Sequence, residues 1–330
     1  MLFGCFDFGA TQNGQASDAA VNPLDASDAG APVNDGETPE SSLDASVASE
    51  HDAGGAVMDA PSADSVSPGG ESGGSPPGPK TLFSGIDNPL GIAVTQQSVC
   101  WVASIQPAQL FCGPKQGANA GAPQRLDTQA DQSFLSGAFD LALDGTYVYW
   151  SNGPNNQVVW KPLAGGAASQ YFTGDQRVSF IALSASGVLA SDFVSSTDSA
   201  PGNIVIGPAA DGVTSTLIYP LVPTAAGVAA FGDVVYWGEA TALAFGPIAG
   251  NVTPTRIASP GGVGGVAVDA QGNAYFQVGN QTIYELAFGS TTPTLLYDAG
   301  AAFGDSDIAV DDVSVYWSEH DRGLILSMPK

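Results

Sequence analysis

Positive charge is almost missing from this sequence. Eight Lys and Arg stand against 33 Asp and Glu in 330 residues, a formal net charge of −25. Such a surface repels a phosphate backbone, so nucleic acid is not an expected partner. Cation binding or plain solubility is the better reading of the acidity. Histidine is as scarce, with only His51 and His320 in the chain. No H-E-x-x-H pair or phosphate-binding loop occurs, and no G-x-S-x-G stretch stands between a strand and a helix pattern as a nucleophile elbow does, so the usual hydrolase, metalloprotease and nucleotide signatures are all wanting. No run approaches the ~20 apolar residues of a transmembrane helix. Charged residues are only 12% of the chain, whereas glycine (42) and proline (23) are plentiful. Helix surfaces are built from Lys, Glu and Arg, while Gly and Pro mark turns, so this balance predicts short strands joined by turns.

The acidity is uneven. Residues 1–79 carry 13 Asp and Glu and no Lys or Arg, in a background of Ala, Ser, Gly and Pro. Too little large apolar surface is present to offset the entropy of ordering this segment, which predicts a disordered, self-repelling linker. Its D-A-S and D-A-G repeats lack an EF-hand or nonapeptide calcium pattern, so a solvated spacer is expected. At its start, Leu2-Phe3-Gly4-Cys5 resembles a bacterial lipobox, with Phe3 where a small residue is usual and only four residues before the cysteine. The resemblance implies that Cys5 is lipidated after cleavage of a signal peptide. The acidic segment then becomes a tether, and the chain a lipoprotein of the bacterial cell envelope or a secreted protein. The lipid anchor is the only expected contact with a membrane.

From residue 80 onward one phrase recurs six times. It opens with a short apolar strand around a central alanine: GIAVT (91–95), DLALD (140–144), FIALS (180–184), GVAAF (227–231), GVAVD (265–269) and DIAVD (307–311). Successive alanines at 93, 142, 182, 229, 267 and 309 are 38 to 49 residues apart. A period near 40–45 with strand signals throughout predicts an all-β, six-bladed β-propeller over 80–330, one four-stranded blade per repeat. The small residue fits where the innermost strands converge on an axis. A second strand follows, with Trp101, Trp150, Trp237 and Trp317 in one position and Phe276 in their place in repeat five. Buried aromatics packing neighbouring blades explain that stripe. Repeat three lacks the aromatic and carries an extra loop at 195–203. The sixth repeat stops after its third strand, while KTLFSG (80–85) has the pattern of a fourth strand. The N-terminal strand is therefore expected to complete the last blade and close the ring.

The Y-W-S-N (149–152), Y-W-G-E (236–239) and Y-W-S-E (316–319) stretches resemble the YWTD repeat of low-density-lipoprotein-receptor-type propellers. Related blades occur in NHL and gluconolactonase-type propellers, and in Ala/Gly-rich repeat proteins among secreted bacterial lipoproteins. The resemblance spans 80–330 and implies a six-bladed ring; it says little about function.

Cys100 and Cys112 flank a hairpin loop near Gln106–Pro107, and a cross-strand disulfide between them is expected, which needs an oxidising compartment. With no histidine nearby, a zinc site is not. The folded part offers two readings. The first is a non-enzymatic, monomeric binding or scaffold domain without cofactor, taking a protein, peptide or glycan on its upper loops. Its candidate face is Asn88, Asp140, Asn152, Asn155, Arg177, Glu239, Asp307, Glu319, His320, Asp321 and Arg322. The second is a calcium-dependent, lactonase-like hydrolase using Asp140 and Asp307 at the tunnel mouth. Calcium wants six to eight oxygens, and these two carboxylates fall in repeats two and six. A pair of charges wetting the tunnel mouth is the plainer expectation for them.

Overall fold

The computed structural model describes residues 78–330, except 175, 194–200, 209–213, 303 and 305. Cys5, His51, the expected linker up to residue 77 and most of the extra loop of repeat three lie outside the described residues. Six four-stranded antiparallel sheets form the ring; strands pair with their sequence neighbours in five of them, and in the sixth the first strand pairs with the last. We number them as blades 1–6 in chain order. Their inner strands are Pro89–Val94, Ala138–Leu143, Arg177–Ser184, Val228–Phe231, Val263–Val268 and Ile308–Val310, so each holds one of the six alanines.

Closure follows the sequence expectation. Lys80–Ser84 is the outer strand of blade 6, antiparallel to Leu324–Pro329, with Thr81 opposite Leu326 and Phe83 opposite Ile325. The first strand is thus hydrogen-bonded to the last, and Leu82 and Phe83 are buried. The core lies between blades. One cluster joins Ala267, Tyr275 and Ile283 of blade 5 to Ile308, Trp317 and Leu326 of blade 6. Another joins Phe83 and Tyr316 of blade 6 to Ile92 and Trp101 of blade 1. The four second-strand tryptophans and Phe276 are among the largest fully buried side chains, each worth about 2–3 kcal/mol in apolar area. In blade 3 Ala190 takes that place, as its sequence anticipates.

Cys100 and Cys112 face each other across Ser98–Ala103 and Gln109–Pro114 and form the expected disulfide. Four inner strands carry a β-bulge near their start, as between Pro89 and Ile92 in blade 1 and between Val178 and Ile181 in blade 3. A bulge releases main-chain groups from the ladder. Those groups are what the tunnel mouth uses.

Candidate functional site at the tunnel mouth

Asp140 and Asp307 occupy the same position, two residues before the inner alanine of blades 2 and 6. Each makes the same bridge to the next blade. Asp140 Oδ2 accepts the N–H of Ile181 in blade 3 at 2.7 Å, and Asp307 Oδ2 accepts the N–H of Ile92 in blade 1 at 3.2 Å. Each also accepts from the residue that follows it, Leu141 at 2.6 Å and Ile308. Their own N–H groups donate to Ser151 Oγ and Ser318 Oγ, both at 3.0 Å. Ser318 in turn donates to the Leu90 carbonyl of blade 1 at 2.6 Å.

A glycine of the preceding blade makes room for each carboxylate. A Cβ on Gly91 would lie 2.6 Å from Asp140 Oδ1, and one on Gly265 would lie 2.6 Å from Asp307 Oδ1. Although blade 1 separates them in the ring, the two carboxyl groups hydrogen-bond to each other. They are 4% and 6% exposed, which corrects the expectation of charges wetting the mouth. Burial and repulsion from Asp307 hold the Asp140 carboxyl well above the ordinary carboxylate range. Asp307 is pushed up to about 6, chiefly by burial, with the Ile308, Asp140 and Ile92 hydrogen bonds limiting the rise. Two buried carboxyls in contact cannot both ionise cheaply, so the pair holds a proton.

Calcium would need these same oxygens. Four main-chain donors and the mutual hydrogen bond already engage them, and among the described residues no third His, Cys, Asp or Glu joins them in a group placed to hold a metal ion. The donor set does not fit an ion that takes six to eight oxygens.

Other candidates divide into buried and displayed. Glu239 accepts the Trp237 indole N–H at 3.0 Å and a two-point ion pair from Arg256 at 2.8 and 2.9 Å. Glu319 does the same for Trp317 at 3.1 Å and Arg322 at 2.8 Å. Both glutamates are buried, so they orient tryptophans and do not face a partner. Asn152 is fully buried as well, because it follows Trp150 and Ser151 into the space between blades. Arg177 packs on Gly153, where burial lowers its pKa. Asn88, Asn155, Asp321 and Arg322 are exposed, and His320, 2.9 Å from Asp321 through Nδ1, is half-buried. Asn88 and the 320–322 loop lie near one another at the seam of blades 6 and 1, where Ile86 N–H donates to the Gly323 carbonyl at 3.1 Å. The sequence reading missed Ser151, Ser318, Gly91 and Gly265. Their signal was a glycine one repeat upstream of each aspartate.

No protein-family model matches this chain, and no curated protein matches it. Solved structures do. A calcium-binding protein, regucalcin, from Agrobacterium tumefaciens is 12% identical with a TM-score of 0.60, over 77% of this chain and 94% of its own. A gluconolactonase from Xanthomonas campestris is 11% identical with a TM-score of 0.59, over 76% and 88%. A chain of the nidogen/laminin complex is 13% identical with a TM-score of 0.54, over 65% and 82%. This chain shares their six-bladed fold. Among these neighbours the same ring serves both an enzyme and a protein assembly, so the fold leaves the choice between binding and hydrolysis to the site.

Proposed function

We propose that this chain is a non-enzymatic binding or scaffold propeller, monomeric and acting in the bacterial cell envelope or outside the cell. The carrying observation is the inward commitment of Asp140 and Asp307: the best candidates for chemistry are spent joining blades. The displayed polar groups, Asn88, Asn155, His320, Asp321 and Arg322, sit on upper loops and suit a protein, peptide or glycan. The Cys100–Cys112 disulfide supports an oxidising compartment, and a lipid on Cys5 would tether the ring to a membrane.

The competing reading, a calcium-assisted lactonase using Asp140 and Asp307, draws on the buried acidic pair and the likeness to gluconolactonase and regucalcin. Calorimetric titration of the full chain with Ca²⁺, beside a lactone hydrolysis assay, separates the two. The expected result is no saturable heat and no turnover. Stoichiometric calcium binding with turnover, both lost in Asp307→Asn, overturns the binding reading. In the positive arm, a triple Asn88→Ala, Asn155→Ala, His320→Ala variant should keep its melting temperature and lose partners retained from envelope extracts.

A further inference from the structure

Three of the four second-strand tryptophans give their indole N–H to a defined acceptor. Trp150 donates to the Phe134 carbonyl at 2.8 Å, Trp237 to Glu239 at 3.0 Å and Trp317 to Glu319 at 3.1 Å. Trp101 is 1% exposed, and its Nε1–H has no partner among the described residues. A buried donor without an acceptor is uncommon and costly. In blades 4 and 6 the acceptor is the side chain two residues further on; in blade 1 that residue is Ala103. Beside Ala103, which stands where those blades carry their glutamate, lies a cavity of about 340 Å³, lined among others by Trp101, Ala103, Phe83, Phe111, Ile86 and Ile105.

The walls are aromatic and firmly held. Phe83 lies 5.0 Å from the Trp101 ring and Phe111 lies 6.0 Å from it, centroid to centroid. The Cys100–Cys112 disulfide locks the neighbouring cross-strand pair. The cavity is open toward the flank because the outer strand of blade 1 spans only Gln124–Arg125, two residues, where the other outer strands have four to seven. Asp87 and Gln109 supply polar lining.

We propose that this seam between blades 6 and 1 binds a neutral, planar aromatic small molecule carrying a ketone or ester oxygen. The flat aromatic walls select a ring. The orphan indole N–H selects an acceptor and disfavours a cation. Asp87 and the net charge of −25 disfavour an anion. The volume lies within the range of ordinary small-molecule pockets.

The test is a titration of ¹⁵N-labelled full-length protein with acetophenone. It follows the five indole N–H resonances, with Trp101 assigned through Trp101→Phe. The Trp101 signal is expected to shift saturably with a Kd near ~1 mM, in keeping with so small a ligand, while the other four stay in place. Ethylbenzene, without the oxygen, should bind about tenfold more weakly, and benzoate not measurably. Ala103→Leu fills the cavity and should abolish the shift. Ile105→Trp closes it from the loop and should do the same where leucine disturbs packing. A Trp101 signal unmoved by acetophenone, equal affinity for ethylbenzene, or shifts that persist in both folded variants would overturn the proposal.

Discussion

Asp307 and Asp140 meet across a glycine and share a proton, so their effect on stability runs opposite to that of most surface carboxylates. In the unfolded chain each titrates near ~3.9, whereas folded Asp307 sits at about 6 and Asp140 is also raised. Between these values the folded protein holds more protons than the unfolded chain. Stability from the pair is therefore full below the unfolded pKa and is lost as pH rises through the folded one. Asp307→Asn keeps an acceptor for Ile92 and offers Asp140 a donor in place of a competing acid. It should flatten the fall in stability between about pH 4 and 6 and raise stability at pH 8 by on the order of 1–3 kcal/mol. Thermal melts across that range check both; an unchanged slope rejects the shared proton.

Asp131 behaves the other way. Burial works against its charge, but hydrogen bonds from Lys161, Thr128 and Ala168 bring its pKa below the ordinary value. Lys161→Met would strand that buried carboxylate and should cost about 3–5 kcal/mol, measured by urea denaturation.

At the scale of strands, the hairpin carrying Trp101 and Phe111 is the most constrained, because its two cysteines stand in register. They are separated by 12 residues, and closing a loop of that order is worth about 3 kcal/mol through the unfolded state. Cys100→Ser with Cys112→Ser should lower stability by about that much. A reductant should lower the wild-type melting temperature and leave that of the double variant unmoved. The hairpin also shows what could be read before any coordinates. The alanines and the tryptophan stripe repeat with the period of a blade, and the cysteine pair flanks a single hairpin loop, so local pattern placed them. The meeting of Asp140 and Asp307 was not legible in that way, because their repeats are not neighbours and only the closed ring brings them together. Glu239 and Glu319 looked like loop charges, since a strand-end glutamate shows its burial only when an indole N–H turns toward it. The vacancy at Ala103 had a faint trace, the one Trp-bearing repeat whose second residue after the tryptophan is not polar.

For the whole ring, the decisive contact joins the strand nearest the linker to the end of the chain. Lys80–Ser84 covers the edge of Leu324–Pro329 and brings Phe83 against Trp101 of blade 1. Each of the other blades is made from contiguous chain, so loss of a buried side chain there weakens a blade without opening the circle. Loss at the seam does both. Leu82→Ala with Phe83→Ala removes buried groups worth about 2–5 and 3–5 kcal/mol, a large part of the ~5–15 kcal/mol that holds a typical domain. It also loosens the strand that caps a hydrogen-bonding edge. The double variant should therefore melt far lower and associate with rising concentration in light scattering. Leu217→Ala, on an exposed outer-strand position of blade 3, should change stability by no more than about 0.5 kcal/mol. A seam variant that stays monomeric and melts like the Leu217 control would mean that packing between blades 6 and 1, without the paired strand, is enough to hold the ring shut.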